Sequence, residues 1–155
     1  MSGLYFEEFE IGKVYPHEAG RTMTLSDSIQ FACMCMDTEP TYLDEDWARQ
    51  HARFRRIEIY PMYALSLIMA VQVTELTLGT TLGNLGMFDV TFPNPVFPGD
   101  TLHGRTTILG KRASKTRPDR GVVEFLHQGF NQRGQLVATC RRTGMMLMKP
   151  KPAAA

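Results

Sequence analysis

The chain has 155 residues, which suits one domain and leaves little for a second. Hydrophobic residues make up 43% and charged residues 21%, so a core can form without disulfide or metal staples. Disordered, collagen-like and coiled-coil classes are excluded. Lys and Arg number 17 against 16 Asp and Glu, a net charge of +1. No long-range field draws the protein to nucleic acid or to an acidic membrane, so any anion site must be local.

The start of the chain is acidic and has no apolar leader, and the longest apolar run, Met62 to Val71, is far too short to cross a bilayer. Three cysteines, Cys33, Cys35 and Cys140, have no framework spacing, which points to a reducing, cytoplasmic setting. Cys33-Met34-Cys35 would need two further ligands to hold zinc, and no second pair follows. These residues read as small apolar positions of a helix, and no metal is expected.

A first strand is expected over Val14 to Thr22. Thr24 followed by Asp27 resembles a capping box and opens a helix carrying Leu25, Ile29, Ala32, Cys33 and Met36 at helical spacing. Pro40 disfavours helix at Glu39, so that helix ends near Asp37. Asp44 can cap a second helix, Glu45 to about His51. Pro61 suits the first turn of a third, Met62 to about Leu76, which is apolar on nearly every face and therefore buried.

The second half reads as strands: Met87 to Phe92, Thr101 to Lys111, Gly121 to Asn131 and Leu136 to Met148. Asn131-Gln-Arg-Gly134 makes a hairpin turn between the last two. The expected architecture is α+β, one buried helix with an antiparallel sheet of about five strands. Residues 1–149 form the expected single domain, and residues 150–155 a frayed tail. His17, His103 and His127 fall in strands and read as partly exposed. His51 ends a helix near the Asp37 loop and could approach it.

Several stretches resemble the MaoC-like dehydratases, or (R)-specific enoyl-CoA hydratases, over almost the whole chain from Tyr5 to Met148. They are Tyr5-Phe-Glu-Glu-Phe-Glu-Ile-Gly12, Gly20-Arg-Thr-Met-Thr24 with Asp27, and Pro95-Val-Phe-Pro-Gly-Asp-Thr-Leu102. Lys111 to Gly121 resembles members acting on small branched or dicarboxylic acyl-CoAs, of the itaconyl- or mesaconyl-CoA type. The resemblance implies a hotdog fold, with the sheet wrapped around one long central helix. It also implies a hydratase that takes an acyl-CoA thioester, with coenzyme A as part of the substrate and no other cofactor. A homodimer or higher homo-oligomer is expected, with no nucleic-acid or membrane partner.

The family's loop Gly-Asp-x-Asn-Pro-x-His-x-Asp aligns with Met36-Asp37-Thr-Glu39-Pro40-Thr-Tyr42-Leu-Asp44. Asp37, Pro40 and Asp44 match; Glu39 replaces Asn, and Tyr42 replaces the catalytic His. Hydration of an enoyl thioester needs a held water that loses a proton, a proton for the α-carbon, and a donor for the thioester oxygen. Asp37 can accept the proton. Tyr42 can orient water or donate, but with a pKa near ~10 it is a poor base. Glu39 could be the second water ligand, and two carboxylates buried together would split into one acid and one base. Each has a plainer reading: Asp37 and Glu39 as loop residues, Tyr42 as packing, Asp44 as a cap.

Arg53, Arg55 and Arg56 cluster before the central helix, and Arg56 matches the Arg of a family Gly-Arg-Pro. Arg55 and Arg56 could clamp a second substrate carboxylate. Lys115, Arg117 and Arg120 offer a basic loop for the CoA phosphates, and a solvated hairpin tip is the plainer reading. Backbone N–H groups from Tyr60 to Met62 are candidates for the thioester oxygen, and Pro61 removes one of them. In this family the segment containing Gly86 runs along the substrate channel. Two other readings stay open: a hotdog thioesterase using Asp37 or Glu39, and an acyl-CoA-binding protein that lost its chemistry with the family His.

Overall fold

The computed structural model describes residues 3–150. Residues 151–155 of the expected tail lie outside that range. Five strands form one antiparallel sheet: β1 (Val14–Thr22), β2 (Thr81–Thr91), β3 (Thr101–Ala113), β4 (Arg120–Asn131) and β5 (Leu136–Leu147). Their order across the sheet is β1-β3-β4-β5-β2. Four helices, α1 (Leu25–Met34), α2 (Pro40–Leu43), α3 (Glu45–His51) and α4 (Pro61–Val71), precede β2. A short 3₁₀ turn, Phe6–Glu8, opens the chain, and a π turn, Val73–Thr77, follows α4. This is the α+β layout expected, with the apolar α4 packed against the sheet.

Alternation builds the sheet. On β4, Val123, Phe125 and His127 are fully buried while Glu124, Leu126 and Gln128 are only half-buried. Phe125 meets Phe9 edge-on at 5.5 Å between centroids. Burying one such ring stabilises by roughly 2–3 kcal/mol. The turn between β4 and β5 is as expected: Gly134 has φ +74, and the Asn131 side chain accepts from Arg133 and Gln135 N–H.

α4 comes close to the sheet because two glycines face each other under it. Gly104 of β3 pairs in register with Gly129 of β4. A Cβ at Gly129 would sit 1.9 Å from Ile68 Cδ1, and one at Gly104 2.8 Å from Val71 Cγ2. A larger residue at either position forces α4 to lift or these side chains to leave their rotamers.

Three of the expected local features differ in the structure. The capping box is half formed: Thr24 accepts from Asp27 N–H at 3.2 Å, but the Asp27 carboxylate turns to Arg21 at 2.9 Å. The central helix stops at Val71 rather than Leu76, and the Leu78 N–H to Val73 C=O bond of 2.7 Å closes a wider turn. β2 begins at Thr81, six residues before the expected Met87. Gly83, Asn84 and Gly86 read as loop, but an edge strand interrupted by register shifts tolerates them.

His17 and His127 are buried, not partly exposed. They belong to a polar row with one residue from each of four neighbouring strands, β1, β3, β4 and β5. Arg142 can only donate, and its Nε–H goes to His127 Nε2 at 3.2 Å. His127 Nδ1–H then donates to Thr106 Oγ1 at 2.9 Å, and the Thr106 hydroxyl to His17 Nε2 at 2.8 Å. His17 Nδ1–H donates to Glu75 Oε2, in the π turn, at 2.6 Å. Burial, then the Arg142 charge, pushes His127 down to about 3, so it is neutral.

Replacing Gly129 by Ala should lower stability by about 1–3 kcal/mol, because α4 must lift or Ile68 must leave its rotamer. Ile68→Val removes the clashing Cδ1, so the double mutant should recover part of that loss. Thermal and urea unfolding of the two singles and the double would measure it; additive losses would mean the contact does not limit the approach.

Candidate active site

The loop that carries Asp37 begins as a helix ending. Met36 N–H bonds to Cys33 C=O at 3.0 Å and Asp37 N–H to Ala32 C=O at 3.0 Å, while Met36 adopts φ +59. This pair of bonds with a left-handed residue is the Schellman helix stop, a place glycine normally takes. Met36 stands there instead, with its side chain 87% exposed. The stop ends α1 at Met34, a little before the expected Asp37, and turns Asp37 back toward the domain. Cys33 and Cys35 are exposed at this helix end, not packed, and no metal-holding cluster exists among the described residues.

From Asp37 onward each residue fixes the next. Asp37 Oδ1 accepts Glu39 N–H at 2.7 Å. Glu39 caps α2: its Oε1 accepts from Thr41 N–H at 3.3 Å and the Thr41 hydroxyl at 2.8 Å. Pro40 fills the first helical position. Asp44 caps α3 as expected, accepting Trp47 N–H at 2.9 Å. His51 packs tilted against Trp47, with ring centroids 5.1 Å apart, and is exposed.

Tyr42 projects from α2 against Tyr60, with ring centroids 5.3 Å apart, and Tyr60 continues to Phe31 at 6.0 Å. Burial holds the Tyr42 phenol above its usual value, and the charges of Glu58, Glu39 and Asp37 press it higher. It can orient or donate, but it is no base near neutrality. Burial and then the hydrogen bond toward Asp37 raise the Tyr60 phenol as well. Asp37 and Glu39 are not buried together, since Glu39 is exposed and turned to its own helix.

A cavity of about 420 Å³ opens beside the start of α4. Ile59, Ala64, Val96 and Val137 give it an apolar floor, and Arg53, Glu58 and Asn94 are its polar lining. Two backbone bonds hold its wall, Glu58 N–H to Thr41 C=O at 3.2 Å and Ile59 N–H to Val96 C=O at 2.8 Å. Burial raises the Glu58 carboxyl above the usual carboxylate range, with the Arg53 and Arg56 charges pulling the other way.

The other expected binding residues are scattered. Arg55 donates to the Gln50 carbonyl of α3. The Arg56 guanidinium lies over the Phe97 ring, 3.2 Å from its centroid. It is Arg53, not these two, that lines the cavity. Tyr60 N–H is engaged by Ser28 Oγ at 2.8 Å, and Pro61 has none to offer. Met62, in the first turn where N–H groups lack helical partners, is what remains of that segment. Gly86 lies within edge strand β2, and Lys115 and Arg117 lie exposed in the turn between β3 and β4. The structure does not bring these three to the cavity. Glu58 was not singled out from sequence, although a carboxylate between Ile57 and Ile59, both buried, was a readable signal.

These features define a MaoC-like hotdog protein. A family model described as mesaconyl-CoA hydratase matches residues 1–155, and the chain belongs to that family. It is 31% identical to a mesaconyl-CoA hydratase of Haloarcula marismortui over 98% of its own length and 42% of the relative's. The chain thus spans about two-fifths of the length of the curated mesaconyl-CoA hydratases it matches. The MaoC-like dehydratase from Rhodospirillum rubrum superposes with TM-score 0.84 at 30% identity, covering 96% of this chain and all of that one. A double-hotdog protein from Mycobacterium tuberculosis superposes with TM-score 0.82 at 22% identity, over 99% of this chain and 47% of that one, and shares the fold.

Met36→Gly should raise stability by about 1 kcal/mol, because glycine adopts the left-handed corner without the Cβ clash. The melting temperature would report it, and no gain would mean that the corner is unstrained.

Proposed function

We propose that this chain is a hydratase, or in reverse a dehydratase, of a short branched or dicarboxylic enoyl-CoA of the mesaconyl- or itaconyl-CoA type. The observation that carries the reading is Asp37, held by the helix stop next to Tyr42 and Tyr60, on a loop whose Thr41 is tied to Glu58 of a mostly apolar cavity. The chain's kinship with mesaconyl-CoA hydratases supports the substrate class.

Asp37 takes a proton from water as the water oxygen attacks the β-carbon. The Tyr42 hydroxyl orients that water. Met62 N–H, at the positive end of α4, receives the thioester oxygen as it gains enolate charge. Arg53 meets the distal carboxylate of a dicarboxylic acyl group. The chemistry changes no oxidation state overall, so it needs no redox cofactor; coenzyme A enters only with the substrate. The three free cysteines fit a cytoplasmic setting.

A mass-resolved assay on crotonyl-, mesaconyl- and itaconyl-CoA should show a gain of one water, reduced ~100-fold or more in Asp37→Asn. Release of free CoA would instead make the chain a thioesterase. Tyr42 at the family His position favours one competitor, an acyl-CoA-binding partner. Tight binding without turnover would establish it.

We also propose a homodimer. On edge strand β2, Leu82, Leu85, Met87, Phe88 and Val90 are all exposed, up to 52% for Phe88. An unpaired apolar edge of this length invites pairing with a second strand. Sedimentation should give a dimer that Leu85→Lys with Phe88→Glu converts to a monomer; a monomeric parent protein would refute it.

A further inference from the structure

One carboxyl group at the cavity has no part in the chemistry described so far. Glu58 is the acidic residue among those lining the cavity. Its backbone is tied to Thr41, so it runs beside the helix that carries Tyr42. Its charge presses on the Tyr42 phenol more strongly than that of Glu39 or Asp37. Glu58 and Asp37 therefore act on one spot from two different segments of chain.

The carboxyls differ in what holds them. Asp37 Oδ1 is engaged by Glu39 N–H, and Glu39 Oε1 by Thr41. Glu58 feels burial and two arginine charges, and no hydrogen bond, among the described residues. Its proton is therefore held to a higher pH than that of an ordinary glutamate. Loss of that proton is also accommodated. A carboxylate at Glu58 would face Arg53 and Arg56, whereas a phenolate at Tyr42 would sit among three carboxylates.

We propose that Glu58 is the proton donor of the hydration, supplying the hydrogen that the α-carbon receives. The inference rests on the hydratase reading above. The water oxygen bonds to the β-carbon as its proton passes to Asp37. The π pair of the double bond moves into the thioester enolate. That pair then forms the new C–H bond at the α-carbon with the Glu58 proton. Asp37 is left protonated and Glu58 ionised. One proton passing from Asp37 to Glu58 through solvent restores both, and the net change is addition of one water. Glu58 thus fills the second proton-transfer role that Tyr42, in the family His position, performs poorly.

The test is steady-state kinetics of wild type, Glu58→Gln and Glu58→Asp across pH, with whichever of crotonyl-, mesaconyl- or itaconyl-CoA the wild type hydrates. Melting curves and acyl-CoA affinity check that the variants are folded. Glu58→Gln should lose ~100-fold or more in kcat with KM within about threefold, the pattern of an interaction made only in the transition state. Wild-type kcat should fall as pH rises through the Glu58 pKa, and that alkaline limb should vanish in Glu58→Gln. Glu58→Asp should keep the limb and part of the rate, which also covers a Gln variant that folds poorly. A Glu58→Gln rate within about threefold of wild type, with the same pH profile, would overturn the role of Glu58 and leave the hydratase standing. Absence of any hydration by wild type would overturn both.

Discussion

Where α4 crosses the sheet, nothing but hydrogen separates it from the backbone of β3 and β4. The pairing of Gly104 with Gly129 lets Ile68 and Val71 come this close. The distance between helix and sheet sets the rest. It brings Ala64 and Ile68 into one buried cluster with Met23, Leu102, Val137 and Ala138. It fixes the start of α4, and with it the bonds from Ile59 to Val96 and from Tyr60 to Ser28 that form the cavity wall. Since interiors pack at crystal-like density, a lifted helix would open that wall before it disturbed the outer sheet.

The site is assembled from two chain segments that meet only through the fold. One runs from Met36 to Asp44 and is shaped almost wholly by local bonds: a left-handed helix stop, an Asx turn and two caps. The other runs from Arg53 to Met62, and its extended stretch, Ile57 to Tyr60, is pinned at three backbone N–H groups. Carboxylates on the first segment accept local N–H bonds. Glu58, on the second, accepts none and is partly desolvated, which favours the neutral form. One acid and one base can thus arise from similar groups through environment alone.

Much of this was legible in the sequence because it is local. β1 spans the expected Val14–Thr22, and Asp44 and Asn131 act as their cap and turn positions suggest. The helix stop at Met36 was hidden because the residue there is not glycine. β2 was foreshortened because Gly83 and Gly86 have low strand propensity, which a neighbouring strand overrides. The burial of His17 and His127 could not be read, since each is satisfied by a residue far away in the chain. Arg53 and Arg56 look alike in sequence; a ring at Phe97 decides which of them is turned aside.

The polar row from Arg142 to Glu75 has a consequence for how the chain finds its pairing. Each of four adjacent strands contributes one member, and each member is hydrogen-bonded to the next. Sliding any one strand by a single residue would turn its member to the outer face. A guanidinium or an imidazole would then be stranded without a partner, at a cost of several kcal/mol for the charged group. Greasy residues alone would forgive such an error, because one aliphatic neighbour replaces another with little loss. The row does not forgive it. It acts as a gauge that only the native alignment passes, excluding shifted sheets that an all-aliphatic interior would tolerate.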